Sequence, residues 1–283
     1  MKFFIVTLKI IGMSLLLFII SVFAQNLGIL WHVFDLYTIE YVLHGVTYLA
    51  VAILLIKILV NKGLKKSLSY YRITSFRIYP LCLILGFFLP LTVVVVYYIF
   101  VPGNLIMTNY KSFKDYVEML IEGILITGIV APFVEEIVFR GVLLKYIEEK
   151  TNIVFAVIVT SILFSVVHLF NGELVGMDRY LLIIAGTLAG IMYATATYVY
   201  NSIWASILLH AFWNLWGLFT ISNSKIGYGI FQYVINNNNI LITGGDYGMD
   251  ASLISISGYI LITAILLFNK YINRDNSKEM NLL

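Results

Sequence analysis

The sequence predicts an all-α, polytopic membrane bundle of about eight transmembrane helices. Of the 283 residues, 61% are hydrophobic and only 12% charged, against roughly 45–50% and about 25% in soluble domains. Too few polar side chains exist to cover a protein of this size in water. The apolar residues also fall into runs long enough to cross ~30 Å of hydrocarbon, at about 20 residues per helix. Between the runs, Lys and Arg collect on alternate sides, which is a topology signal. A soluble enzyme, a secreted domain and a nucleic-acid binder are therefore excluded, and the formal charge of +3 is scattered and forms no phosphate-binding stripe. The single cysteine, Cys82, permits no internal disulfide and no cysteine-based zinc cluster, and with no His or acid at helical spacing it reads as core.

The predicted crossings are 3–24, 41–60, 79–101, 119–144, 153–170, 180–199, 202–221 and 251–269. The first has an alternative reading as a signal peptide, because Lys2, an apolar run and Val22-Phe23-Ala24 resemble its three parts. With the N-terminus inside, only Lys111, Lys114, Arg179 and Lys225 of the 18 Lys and Arg lie on the outer side. That asymmetry predicts cytoplasmic termini and an integral membrane protein, of a bacterial cell membrane by its family resemblance below. The loop 61–78 with Lys62, Lys65, Lys66, Arg72 and Arg77 reads as an orientation marker, with contact to anionic lipid as the alternative. Three parts follow: N-terminal helices 1–118, a core 119–221, and an outer loop with a last helix, 222–283. The stretch 222–250, with Asn236 to Asn239 and Gly244-Gly245, reads as a flexible loop or a partner-facing lid. Gly186 and Gly190 with Ala185 and Ala189 give helix 180–199 a small-residue face for close packing.

Ionisable residues inside hydrocarbon cost about 2.5–3.5 kcal/mol each on insertion scales, so each needs a reason. Segment 119–144 carries Glu135, Glu136 and Arg140. Glu136 and Arg140 are four apart in the favourable Glu-first order, which predicts an internal ion pair. Glu135, about 100° round the helix, is then left over as a spare carboxylate. Phe164 and His168, four apart, follow on the next segment, and the midpoint between 135 and 168 falls at Thr151-Asn152, where an antiparallel hairpin would turn. Glu135 and His168 thus come to one height. His210 and Asn214, again four apart, follow a second turn near Asn201-Ser202. His210 lies about 13 Å from that turn and Glu135 about 25 Å from its own, so the levels agree only if the charged hairpin at Lys145 to Lys150 projects further. His32 and His44 flank the first outer loop and read as structural, and Glu122 as interfacial.

Glu135-Glu136-x-x-x-Arg140, Phe164-x-x-x-His168 and His210-x-x-x-Asn214, in that order on successive apolar segments, resemble the three-motif signature of the CAAX prenyl protease and bacteriocin-processing family, CPBP or Abi, of intramembrane proteases. The motifs cover 131–214, and none departs from the pattern. The resemblance implies hydrolysis of a peptide bond in a membrane-associated peptide or protein, prenylated C-termini and bacteriocin maturation or self-immunity being the known settings. It implies Glu135 as the base that activates water, His168 sharing that water, His210 and Asn214 as oxyanion donors, and Glu136, Arg140 and Phe164 as supports. It leaves the cofactor open between none and one divalent metal: Glu135, His168 and His210 would form a His/His/Glu zinc set, but Asn214 is a poor zinc ligand. The expected partners are the bilayer and a peptide or lipid-modified peptide, not nucleic acid. Two rivals remain. A small-solute transporter would be expected to show repeated halves, which are not found, and a non-proteolytic immunity or scaffold protein would be expected to have lost motif residues.

Overall fold

The computed structural model describes residues 2–171 and 176–280, with side chains over 4–170 and 176–273. Lys2, Arg274 and Lys278, used above for orientation, have side chains outside the described residues. Among the described residues seven helices are long and apolar enough to cross a membrane. They are α1 (Lys2–Ile29), α2 (Ile39–Ile58), α3 (Pro80–Phe100), α4 (Phe113–Lys150), α5 (Ile153–Val167), α6 (Met177–Tyr200) and, after one shorter apolar helix α7 (Ile203–Leu215), α8 (Leu253–Met280).

Most helices begin and end where local chemistry dictates. Ser112, Asn152 and Ser202 cap α4, α5 and α7, their side-chain oxygens accepting from Asp115, Phe155 and Trp204 backbone N–H groups. Pro80 opens α3 at a position where no N–H is needed. The two turns anticipated at Thr151-Asn152 and Asn201-Ser202 are present, the latter with Asn201 at φ 50° closing α6 in the left-handed region.

The structure departs from the sequence-based boundaries at four places. Helix α4 runs 38 residues, well beyond 119–144, because the amphipathic segment from Phe113, capped by Ser112, is continuous with it. Its winding widens to i→i+5 turns over Glu122–Val130 and Glu136–Leu143, on either side of Pro132, whose ring carries no N–H for the ladder. Segment 202–221 is not a full crossing, since the chain leaves the helix near Trp216 and Phe219–Ser222 becomes a strand. The stretch 222–250 is not a bare loop: it contributes the central strand of a three-stranded sheet. Strands β1 (Gly103–Met107), β2 (Phe219–Ser222) and β3 (Phe231–Ile235) pair in the order β1-β3-β2, β3 running antiparallel to β1 and parallel to β2. The short turns after β3 then bury Met249 and Ala251 against the bundle, immediately before α8.

The basic loop 61–78 does more than mark orientation. Arg72 is 5% exposed and donates to Glu148 Oε2 at 2.8 Å and Asn201 Oδ1 at 3.0 Å. Its carbonyl accepts Ile203 N–H, Thr74 Oγ1 bonds Ser202 Oγ at 2.7 Å, and the Trp204 indole donates to Thr74 O. Tyr70 adds a hydrogen bond to Glu149. One loop thereby ties together both hairpin turns on which the site's geometry rests.

The small-residue face of α6 packs as expected: a Cβ at Gly190 would come within 2.8 Å of Ser161 Cβ on α5, and one at Gly186 within 2.8 Å of Ser165 Oγ. Gly190→Val should therefore lower the thermal midpoint of the detergent-solubilised protein, overpacking of this kind costing about 1–3 kcal/mol. An unchanged midpoint would show that α5 and α6 can separate freely.

Candidate active site

The site is organised around Glu136. Its side chain is fully buried, and Oε1 accepts both Arg140 Nη1 at 2.9 Å and His210 Nδ1 at 2.9 Å. The i,i+4 pair foreseen from sequence is thus formed, and α7 is fastened to α4 through the same oxygen. The Arg140 guanidinium, 1% exposed, lies 4.1 Å from the Phe164 ring centroid and sends Nη2 towards Gly190 O at 3.4 Å. Phe164 therefore covers the cation with its ring face.

His210 is held on three sides. Tyr193 of α6 stacks on it at 4.5 Å with 16° between the planes, and Phe164 meets it edge-on at 5.8 Å. Because the Glu136 carboxylate only accepts, Nδ1 carries a hydrogen and Nε2 is directed at the other acid, Glu135 Oε2, at 3.8 Å. Glu135 Oε2 is buried and has no hydrogen-bond partner. Two neighbouring carboxylates on α4 thus address opposite nitrogens of one imidazole, one spent on structure and one free.

His168 begins the turn after α5 and bonds the Phe164 carbonyl through Nδ1 at 2.6 Å. The carbonyl can only accept, so Nδ1 holds the hydrogen and Nε2 keeps its lone pair. Asn214 Nδ2 donates to Thr127 O at 2.9 Å, on the wide-turn stretch of α4. Glu135, His168, His210 and Asn214 all line one cavity of about 670 Å³. Glu135 and His168 also line a second, apolar cavity of about 340 Å³ with Phe18, Val138, Phe139 and Leu163, so the two spaces meet at these side chains. The close partner of Glu135 is His210, whereas sequence reasoning had paired it with His168.

Several residues on the wall were not singled out as functional. Asp250, in the turn before α8, faces the same cavity; burial pushes its carboxyl up to about 6, opposed by the Trp213 side chain and the nearby His210. Glu122, exposed, also lines the cavity. His32 and His44 also line it, and they are not isolated from carboxylates: Glu40 Oε1 accepts from His32 at 3.0 Å. Tyr193 had no sequence signal beyond its place on the small-residue helix. His44 and Glu40 had one, being polar residues at the start of an apolar run.

Among the described residues no group of three His, Cys, Asp or Glu side chains converges closely enough to hold a metal ion. Glu135, His168 and His210 share the cavity without forming such a group.

Residues 118–216 match the family model of the type II CAAX prenyl endopeptidase Rce1-like proteins. The motif-bearing core thus resembles the Rce1-like proteins. The chain is also similar to the Bacillus subtilis (strain 168) protein named "Putative membrane peptidase YdiL", 29% identical over 117 residues, which is 41% of this chain and 45% of that one. The chain thus spans under half the length of this curated relative. No solved structure matches. The matched stretch begins within α4 and ends just after α7, and so contains every motif residue while leaving out α1 to α3, the cavity wall at Asp250, and α8. With its seven long apolar helices the chain is an integral membrane protein.

Removing Arg140 from this site leaves Glu136 buried without its cation, for which breaking a buried pair costs about 3–5 kcal/mol. Arg140→Ala should therefore lower the unfolding midpoint in detergent by many degrees, and Phe164→Leu by less. A melting curve for Arg140→Ala that overlays the wild type would contradict the structural role.

Proposed function

We propose that the chain is an intramembrane endopeptidase that hydrolyses a peptide bond of a membrane-associated substrate, with Glu135 activating the attacking water. The observation that carries the reading is the unpartnered carboxylate oxygen of Glu135, buried beside a cavity large enough for a peptide segment and next to a fixed imidazole. Its neighbour Glu136 holds Arg140 and His210 through Oε1, is wholly buried and does not line the cavity, so Glu135 is the one of the pair that a water there can reach.

In this mechanism water donates one hydrogen to Glu135 and the other to the lone pair of His168 Nε2. As its oxygen attacks the carbonyl carbon, Glu135 takes the first proton. The developing oxyanion accepts from His210 Nε2–H, in the doubly protonated ring, and from the second N–H of Asn214. With His210 so charged, Glu135, Glu136, Arg140 and His210 together carry no net charge, and the Tyr193 face adds to the stabilisation of the imidazolium. Glu135 then returns its proton to the leaving nitrogen as the C–N bond breaks. No step runs through a metal. The apolar cavity beside Glu135 and His168 supports a substrate that presents a hydrophobic segment or a lipid tail from the bilayer side. The charge asymmetry of the loops supports cytoplasmic termini.

Glu135→Gln should leave the detergent melting curve in place and abolish cleavage of amphiphilic peptides by protein reconstituted in vesicles; turnover in that variant would exclude Glu135 as base. Asn214→Ala should lower kcat by ~10²–10³ with little change in KM, and a change confined to KM would make it a substrate-positioning residue. Treatment with a chelator should leave cleavage intact in protein shown by elemental analysis to be metal-free. Loss of activity restored by added zinc would overturn the metal-free mechanism.

A further inference from the structure

The large cavity belongs to one end of the bundle. Its wall is built where α1, α5 and α7 finish, at Ile29, His168 and Gly217, and where α2, α4 and α8 begin, at Tyr41, Glu122 and Asp250. Of the turns at the other end, 59–79, 145–152 and 200–203, no residue lines it. Towards that end the site is closed. Every residue of α4 from Glu136 to Leu144 is buried, and beyond them Arg72 joins the α4–α5 turn to the α6–α7 turn. At the cavity end, by contrast, Glu122 and Thr127 on the wall are exposed, and His32 Nε2 lies 3.1 Å from His44 Nδ1 in a polar cluster with Glu40. Water and a polar chain therefore reach Glu135 from this end.

A second observation comes from charge and is independent of the cavity. Lys57, the cations of loop 61–78, Lys145, Lys150 and Lys270 belong to the closed end, Lys270 resting 3.3 Å from the ring centroid of Tyr198 near the end of α6. The cavity end has only Lys111, Lys114, Arg179 and Lys225. Lys and Arg gather in the short loops of the cytoplasmic side, because those loops are not carried across the membrane. The closed end is then cytoplasmic, and the mouth of the cavity faces away from it.

We infer that the cavity opens on the extracytoplasmic face of the membrane, and that the substrates are peptides whose segment to be cut has already reached that face. A peptide confined to the cytoplasmic face meets a sealed surface. The reaction that supplies the substrate is therefore a translocation, or an insertion into the bilayer that leaves the segment outside, and the polar product of hydrolysis is released there. The apolar cavity beside Phe18 and Phe139 takes the part that stays in the membrane. This order of steps rests on the peptidase reading, whereas the direction of the opening does not.

The test separates the two. The full-length protein is produced in bacterial cells with the buried Cys82 replaced by serine and one cysteine introduced at a time. Gly217→Cys probes the cavity, since a Cβ there meets nothing within 4 Å. Lys111→Cys and Lys225→Cys probe the loops at the cavity end, and Lys62→Cys the closed end, all three positions being exposed. In intact cells a membrane-impermeant maleimide should label the first three and spare Lys62→Cys until the cells are opened. Two loop positions read the same face, so one variant that fails to fold does not decide the result. Labelling of Lys62→Cys in intact cells overturns the orientation, and a Gly217→Cys that stays unlabelled while the loop positions react overturns the opening. An impermeant amphiphilic peptide is then supplied to the wild type, with Glu135→Gln as the blank. Cleavage is expected in intact cells and should be lost in inverted vesicles until they are permeabilised; cleavage by sealed inverted vesicles overturns the placement of the reaction. Labelling as expected with no cleavage from either side leaves the opening in place and overturns the hydrolytic reading alone.

Discussion

One carboxylate oxygen, Glu136 Oε1, holds the site together. It receives a guanidinium N–H from its own helix and an imidazole N–H from α7, both at 2.9 Å and both out of contact with solvent. A lone carboxylate at that depth would be costly, and so would a lone guanidinium, yet each offsets the other's penalty and the histidine adds a second donor to the same oxygen. Everything else follows from this contact. The ring of Phe164 covers Arg140, Tyr193 stacks on His210, and α5 and α6 approach closely enough for both only because Gly186 and Gly190 carry no side chain.

Glu136 is sealed in the interior, whereas the adjacent Glu135 reaches the cavity. Adjacent residues on a helix ordinarily diverge. Here the winding of α4 changes at this point, from the short regular stretch Ala131–Glu135 to the wide turns that start at Glu136, and the two acids come to opposite edges of the same imidazole. Irregular winding of this sort is common where a helix must aim a particular side chain.

Much of this was legible in the sequence, for physical reasons that also explain what was not. Lipid demands unbroken apolar runs, so the helices announced themselves, and charges inside such runs marked Glu135, Glu136 and Arg140 before any geometry was known. The Glu136–Arg140 bond was readable because it is local to one helix. The bond from Glu136 to His210 spans 74 residues and two hairpins, and no spacing rule reports it. Phe219–Ser222 was absorbed into a crossing because a short apolar strand and the end of a helix look alike by hydropathy, and only pairing with Phe231–Ile235 distinguishes them. The Glu40–His32–His44 chain was missed because each residue was weighed against its own segment, whereas the partners come from opposite sides of the loop between α1 and α2. Tyr193 was one aromatic among many.

The clasp made by Arg72 and Thr74 has a mechanical consequence. It joins the α4–α5 turn through Glu148 to the α6–α7 turn through Asn201 and Ser202, so four helices are bolted to one another at a single end. A bundle fixed at one end can widen only at the other, as tongs do. The opposite end is where the chain has its sheet, the Glu40–His32–His44 chain and the turn carrying Asp250, and it is the side on which admission of a bulky guest requires the least work.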